Sequence, residues 1–214
     1  MQYTQSPGSY TLQPSQGTPK RSPGIHLSGV LSAVARKLGV FKEEDLPLDA
    51  LIRMYEGTEP GSLPGLQGNV PLLNRIALGL ALEDWLAPRL LIRYPGLIYH
   101  PGELCEGRVT GSVDGIDPDN SATHEIKLTW ISARRPLEEH WYWLHQARAY
   151  CHLWHVRRTF LHVFSVNGNY TYSDDRGGGP QLTTYDIHFE PKEISATWRM
   201  IQTNHDLATP EGQD

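Results

Sequence analysis

The sequence predicts a mixed α/β fold, an open sheet of mixed strand direction covered by helices. Three observations lead there. Helically spaced apolar residues dominate the N-terminal part of the chain, and short alternating runs bounded by turn clusters such as Asp117–Ser121 follow them. The first three of these runs are joined by short turns, which makes them antiparallel. A helical stretch, Glu138–His155, then separates the third run from the fourth, so the fourth should return parallel to its neighbour.

Taken in order, Ile25–Leu38 reads as a helix stopped by Gly39, and Leu48–Tyr55 as a second. Residues 57–71 are rich in Gly and Pro and read as a loop, and Leu72–Ala87 is strongly helical until Pro88 ends or kinks it. Leu97–Tyr99, Arg108–Ile116, Thr123–Trp130 and Thr159–Val166 read as strands, Thr183–Phe189 as a fifth, and Pro191–Thr203 as a closing helix with proline at its start. Residues 1–24, with Pro7, Pro14, Pro19 and Pro23 among Gly, Ser, Gln and Thr, read as a flexible tail whose Lys20 and Arg21 offer loose electrostatic contacts. Residues 205–214 read as another tail, which leaves 25–204 as a single domain.

The 214 residues can bury a sizeable core. A composition of 39% hydrophobic and 20% charged residues excludes wholesale disorder, a collagen-like fibre and a disulfide scaffold. No apolar run reaches the roughly 18 residues of a membrane span, and the N-terminus carries no apolar signal core. With Cys105 and Cys151 as the two cysteines, a reducing compartment is expected: the cytoplasm of a bacterium or of a phage-infected host. The net charge of −5 does not advertise a nucleic-acid binder, so any such function must rest on local charge.

The most informative stretch runs from Gly111 to Lys127. Treated as an antiparallel hairpin with the four-residue loop Pro118–Ser121, it sets Asp114 directly opposite Glu125 and Ser112 opposite Lys127. Glu125 and Lys127 are two residues apart on a strand and share a face. Two facing carboxylates repel unless a cation lies between them, and hard oxygen ligands without His or Cys favour Mg²⁺ or Mn²⁺ over Zn²⁺. A lysine ammonium beside such a cation can orient an attacking water or stabilise charge on a phosphate, which makes phosphodiester hydrolysis a candidate chemistry. The alternative is a solvated hairpin face carrying ordinary charges.

Further positions could join this site. Glu83 has Gly79, Leu80, Leu86 and Ala87 as its helical neighbours, so it is a carboxylate on an apolar face, where an unpaired charge is costly. A metal shared with Asp114 would satisfy it; so would solvent or Arg75, and Asp84 competes for the role. On the helix 138–155, Trp143, Gln146, Ala147, Tyr150 and Trp154 form one stripe, with Gln146 and Tyr150 at i, i+4. Gln146 could hold water or phosphate and Tyr150 could contact phosphate or a base; an ordinary core helix is the competing reading. Residues 101–126 carry a charge of −5 and residues 127–158 a charge of +4, an acidic pocket beside a basic rim that suits a metal site gripping a phosphate backbone. His140, His145, His152 and His155 crowd one helix, with His124 and His162 nearby; Cys151 and His155 at i, i+4 could bind Zn²⁺, though surface or core histidines are the preferred reading.

Asp114, then Glu125-Ile126-Lys127, then Gln146-Ala-Arg-Ala-Tyr150, after a helix bearing Gly79 and Glu83, resembles the PD-(D/E)XK nuclease superfamily in its RecB-like and phage lambda-exonuclease (YqaJ-like) branch. The match covers about residues 72–166, and the His26-Leu-Ser28 helix start is also similar to that branch. The resemblance implies a restriction-endonuclease-like αβββαβ core and a Mg²⁺ or Mn²⁺ ion held by Glu83, Asp114, Glu125 and the backbone carbonyl of Ile126. It implies that Lys127 positions the attacking water and that Gln146 and Tyr150 line the cleft that holds DNA. Val113 stands where the family often has Pro, a commonly relaxed position. Two cysteines cannot supply the four ligands of the iron–sulfur relatives, which disfavours that type. The implied activity is metal-dependent DNA hydrolysis leaving a 5′-phosphate, foremost as an exonuclease on DNA ends in recombination or repair, with a phage gene among the origins it allows. An endonuclease of the same fold, a non-catalytic DNA-binding or assembly module, and a zinc-centred regulator are the alternatives; a homo-oligomer or a recombination partner protein would be compatible with the first.

Overall fold

The computed structural model of the protein describes residues 24–40, 70–168 and 179–208 and, of residues 70–77, the backbone alone. The expected helix Leu48–Tyr55, the side chain of Arg75 and nearly all of the N-terminal tail lie outside the described residues. Among the described residues there are four α-helices: α1 Leu27–Lys37, α2 Val70–Arg93, α3 Trp141–Leu153 and α4 Pro191–Asn204. The strands are β1 Ile25–His26, β2 Ile98–Tyr99, β3 Glu103–Glu106, β4 Val109–Ser112, β5 Gly115–Asp117, β6 Ala122–Thr129, β7 Arg158–Ser165 and β8 Gln181–His188. Among the described residues no helix is long and apolar enough to cross a membrane.

Five strands form the main sheet in the order β2-β5-β6-β7-β8. Only β6 and β7 pair in parallel, across the α3 crossover; the other pairs are antiparallel. With α2 ahead of the sheet, this is the αβββαβ order followed by an added edge strand. β6 and β7 are buried almost throughout, as expected for central strands covered on both faces, whereas β8 alternates outward and inward.

Several expectations need correction. The stretch Arg108–Ile116 is not one strand. Its first part, β4, belongs to a small second sheet of order β1-β4-β3, and the chain passes into the main sheet through Val113 and Asp114. Ser112 therefore lies opposite Glu103, not Lys127. The partner strand β3 has the pattern Glu-Leu-Cys-Glu, too short and too charged to read as a strand; a two-residue turn, Gly107-Arg108 with Gly107 at φ 64°, closes its hairpin with β4. The first two residues of the expected N-terminal helix form β1, and the helix does end at Gly39 with φ 69°. Pro88 does not stop α2, which runs on to Arg93; Leu86 and Leu90, on either side of the proline, both pack in one apolar cluster with Leu97 and Ile126, and the Arg89 guanidinium donates to the Trp85 carbonyl. The helix expected over Glu138–His155 is a 3-10 turn, Leu137–Glu139, followed by α3. His205–Ala208 add a 3-10 turn after α4.

The larger core lies between α1, α3, α4 and the small sheet. Leu27, Val30, Leu31 and Val34 of α1 meet Val109 and Val113 on the sheet side, Ala149, Tyr150 and Leu153 of α3, and Trp198 and Ile201 of α4. α4 starts with a capping box between Glu190 and Glu193 and has proline at its first position. α3 can lie close on β4 because Gly111 has no side chain: a Cβ there would stand 2.5 Å from Leu153 Cδ1 and 3.3 Å from Tyr150 Cε1. Gly111→Ala should therefore destabilise the fold by about 1–3 kcal/mol, read from urea unfolding; an unchanged midpoint would show that α3 does not rest on β4 at this point.

Candidate active site

The β5–β6 hairpin has the register expected from the sequence. Gly115 faces His124, Ile116 faces Thr123 and Asp117 faces Ala122. Its loop is held by the Ser121 N–H donating to the Pro118 carbonyl at 3.1 Å, with Ser121 at φ 48°, and by Asn120, which donates to both carboxylate oxygens of Asp117 at 3.1 and 2.7 Å. One further step of this register sets Asp114 against Glu125. Asp114 Oδ2 accepts the Ile126 N–H at 2.7 Å, which ties the carboxylate to the backbone between Glu125 and Lys127.

Glu125 is 2% exposed. Its Oε1 accepts from the Lys127 ammonium, while Oε2 is buried and has no hydrogen-bond partner. Glu83 sits on α2 between Leu82 and Leu86, both of which join the apolar cluster that includes Ile126. Glu83, Asp114 and Glu125 lie near enough for their charges to act on one another, three acids against the one ammonium of Lys127. Burial pushes the Glu83 carboxyl up to about 9, and the charges of Asp114, Glu125 and Asp84 add to this against the opposing pull of Lys127. Burial and then Asp114 push Glu125 up to about 8, again against Lys127. Burial works against the Lys127 charge, but Glu125 and Asp114 together hold its ammonium above the ordinary lysine value.

The α3 stripe faces the same place. Gln146 and Tyr150 are both buried, and the Gln146 amide donates to the Tyr150 hydroxyl at 3.1 Å, leaving Gln146 Oε1 without a partner. The Tyr150 hydroxyl is held well above its usual range, first by burial and then by Glu125 and Asp114, so it keeps its proton. Trp143 and Trp154, on the same stripe, are half-buried. Tyr142 adds to the field at Lys127 and Tyr150, and its hydroxyl donates to the Ser28 carbonyl at 3.3 Å, which links the His26-Leu27-Ser28 helix start to the site.

Other sequence candidates are not brought there. Asp84 is exposed. Cys151 is buried, with its Sγ 3.8 Å from Thr123 Oγ1 and 3.6 Å from the Arg158 carbonyl, and burial pushes its thiol up to about 12, whereas His155 is exposed. Together they form no zinc site. Much of the basic rim is already neutralised: Arg135 pairs with Glu139, Arg148 with Glu193, and Arg158 with both oxygens of Asp186. His124 and His162 are buried and share a 3.0 Å hydrogen bond across β6 and β7, so of the surface and core alternatives both take the core one. One feature escaped the sequence reading. Tyr99, at the end of β2, lies close enough to Glu83 and Asp114 for their charges to act on its hydroxyl; a polar aromatic ending a strand beside the hairpin was the available signal.

The donor chemistry fits a hard divalent cation. The side-chain donors are carboxylates, one buried carboxylate oxygen has no partner, and three acids face the single ammonium of Lys127. Glu83, Asp114 and Glu125, with the Ile126 carbonyl, are the groups that could hold it. Among the described residues no three His, Cys, Asp or Glu side chains stand together as a metal-binding group.

No family model matches the chain, and no curated relative matches it. Solved structures do. One described as SSO0001 is 16% identical, with 91% of this chain and 81% of that one covered at a TM-score of 0.50. A phage-related exonuclease from Haemophilus somnus 129PT is 14% identical over 85% of this chain and 92% of that one, at a TM-score of 0.49. An alkaline exonuclease, LHK-Exo, from Laribacter hongkongensis is 12% identical over 86% and 87%, at a TM-score of 0.49. The first of these likenesses supports the mixed α/β fold at a level where the fold alone is shared.

The raised carboxyls carry a sign. A carboxylic acid whose folded pKa lies above its unfolded value stabilises the fold at low pH, and that stability is lost as pH rises through the folded pKa. The metal-free protein should thus lose stability from about pH 4.5 up to the folded values, about 8 for Glu125 and about 9 for Glu83, by on the order of 1 kcal/mol per pH unit for each such group. Glu125→Gln should flatten the slope in urea unfolding across that range. An equal slope in both proteins would mean that Glu125 is ionised throughout.

Proposed function

We propose that this chain is a divalent-metal-dependent deoxyribonuclease of the PD-(D/E)XK type that acts on DNA ends in recombination or repair. The observation that supports this reading is the Ile126 N–H bond to Asp114, which ties that carboxylate to the backbone between Glu125 and Lys127, together with the charges of Asp114, Glu125 and Lys127 that act on Glu83 from α2. Glu83, Asp114, Glu125 and the Ile126 carbonyl would hold Mg²⁺ or Mn²⁺, which when bound supplies Lewis-acid stabilisation of charge on the phosphate.

The chain's own groups divide the remaining work. Lys127, anchored on Glu125, orients a water in line with the scissile phosphorus and stabilises the developing negative charge. As the water oxygen bonds to phosphorus it gives up a proton to solvent, the bond to the 3′ oxygen breaks, and that oxygen takes up a proton from solvent, so that one water is consumed with no net change in protons beyond the ionisation of the new phosphate. The products are a 5′-phosphate and a 3′-hydroxyl. The Gln146–Tyr150 pair offers polar contacts to the phosphate backbone from the α3 side.

Digestion of 5′- and 3′-labelled linear, nicked and closed circular DNA with Mg²⁺ or Mn²⁺ tests this. Linear DNA should be lost and circles spared, and Lys127→Ala and Asp114→Asn should each slow the reaction by about 100-fold or more. Cutting of closed circles would assign an endonuclease instead. Equal behaviour of wild type and variants, with no stimulation by metal, would remove the enzyme reading and leave a DNA-binding or assembly module.

A further inference from the structure

Among the described residues nothing accepts from the Tyr99 hydroxyl, which is buried. A buried O–H without a partner is costly and rare in a folded chain.

Its position is set from three sides. Tyr99 pairs with Gly115, the residue after Asp114, and the next N–H along the chain, that of His100, donates to the Asp114 carbonyl at 2.9 Å. Its ring packs in the cluster that holds Leu82, beside Glu83, and Ile126, between Glu125 and Lys127. On the outer side the exposed His100 ring lies against it, centroids 3.8 Å apart. His100 has a φ of 48°, a conformation that a residue with a side chain seldom adopts, and it closes the strand end over the tyrosine. The ring is therefore held with its hydroxyl near enough to Glu83 and Asp114 for their charges to act on it. Burial first, and then the charges of Glu83, Asp114 and Asp84, push the hydroxyl above its ordinary range, so near neutral pH it is a donor and never a ligand anion.

We propose that Tyr99 is a positioning residue of the site: its hydroxyl donates a hydrogen bond to an oxygen in the coordination shell of the divalent cation, an oxygen that arrives with the cation and completes a partnership the metal-free fold leaves open. This rests on the metal reading given under Proposed function. The oxygen has two possible sources, a coordinated water or a phosphate oxygen of the substrate, and both are accepted by the same donor.

Tyr99→Phe keeps the ring and removes only the unpartnered hydroxyl. The metal-free thermal midpoint should stay the same or rise, while Mn²⁺ affinity, followed by the electron paramagnetic resonance of the free ion, should fall about five- to tenfold. These opposite signs separate a positioning role from a packing one. Titrations are run with Mn²⁺ alone and with Mn²⁺ plus inorganic phosphate: a loss already present with the metal alone assigns a water, and a loss confined to the phosphate arm assigns a phosphate oxygen. Tyr99→Leu tests the same donor in a different packing, and both variants should agree. Equal affinity of wild type and Tyr99→Phe in both arms, with Asp114→Asn losing Mn²⁺, would overturn the role of Tyr99 and leave the metal reading standing. Wild-type protein that binds no Mn²⁺ would overturn both.

Discussion

The hydrogen bond from the Ile126 N–H to Asp114 is the contact around which the structure is arranged. Asp114 sits where the chain leaves the small sheet for the large one, so its side chain is fixed by the junction of two sheets and not by a single regular strand. By bonding the backbone between Glu125 and Lys127, it holds a second acid and a base at a set distance from the first acid. The surroundings then decide the chemistry. Apolar side chains from α2, β2 and β6 keep water scarce, and scarce water makes the mutual repulsion of Glu83, Asp114 and Glu125 expensive. A single ammonium answers part of that repulsion; a bound cation would answer the rest.

This arrangement runs against stability. Two carboxyls held above their normal range and three buried polar atoms without partners, on Tyr99, Glu125 and Gln146, are features that a protein selected for folding alone would replace by apolar packing. The stabilising contacts lie elsewhere, in the core between α1, α3 and α4 and in the long β6–β7–β8 pairings.

Much of this was legible in the sequence, and the reason is periodicity. The hairpin could be registered because Pro118–Ser121 is a strong turn and the strands on each side are short, so the pairing of Gly115, Ile116 and Asp117 with His124, Thr123 and Ala122 followed from counting. The parallel β6–β7 pair followed from the intervening helix, and Gln146 and Tyr150 from i, i+4 spacing. The failures share a cause as well. β3 was invisible because four residues with two glutamates show no alternation, and missing it made β4 and β5 look like one strand. Pro88 reads as a breaker in one dimension, but tertiary packing on both of its sides carries the helix through. The charge segregation was real in sequence and weaker in space, because arginines counted as a basic rim are paired with acids from distant segments. Tyr99 could not be found by spacing at all, since its relation to Glu83 exists only after β2 and α2 pack together.

The central claim is that Glu83, Asp114 and Glu125 converge on one divalent cation. Crystals grown with Mn²⁺ and measured near the manganese absorption edge test it directly. The account predicts an anomalous scattering peak among the carboxylate oxygens of these three residues and the Ile126 carbonyl, with the Lys127 ammonium beside it. A well-ordered map with no peak there, or with manganese held only by other residues, would contradict it.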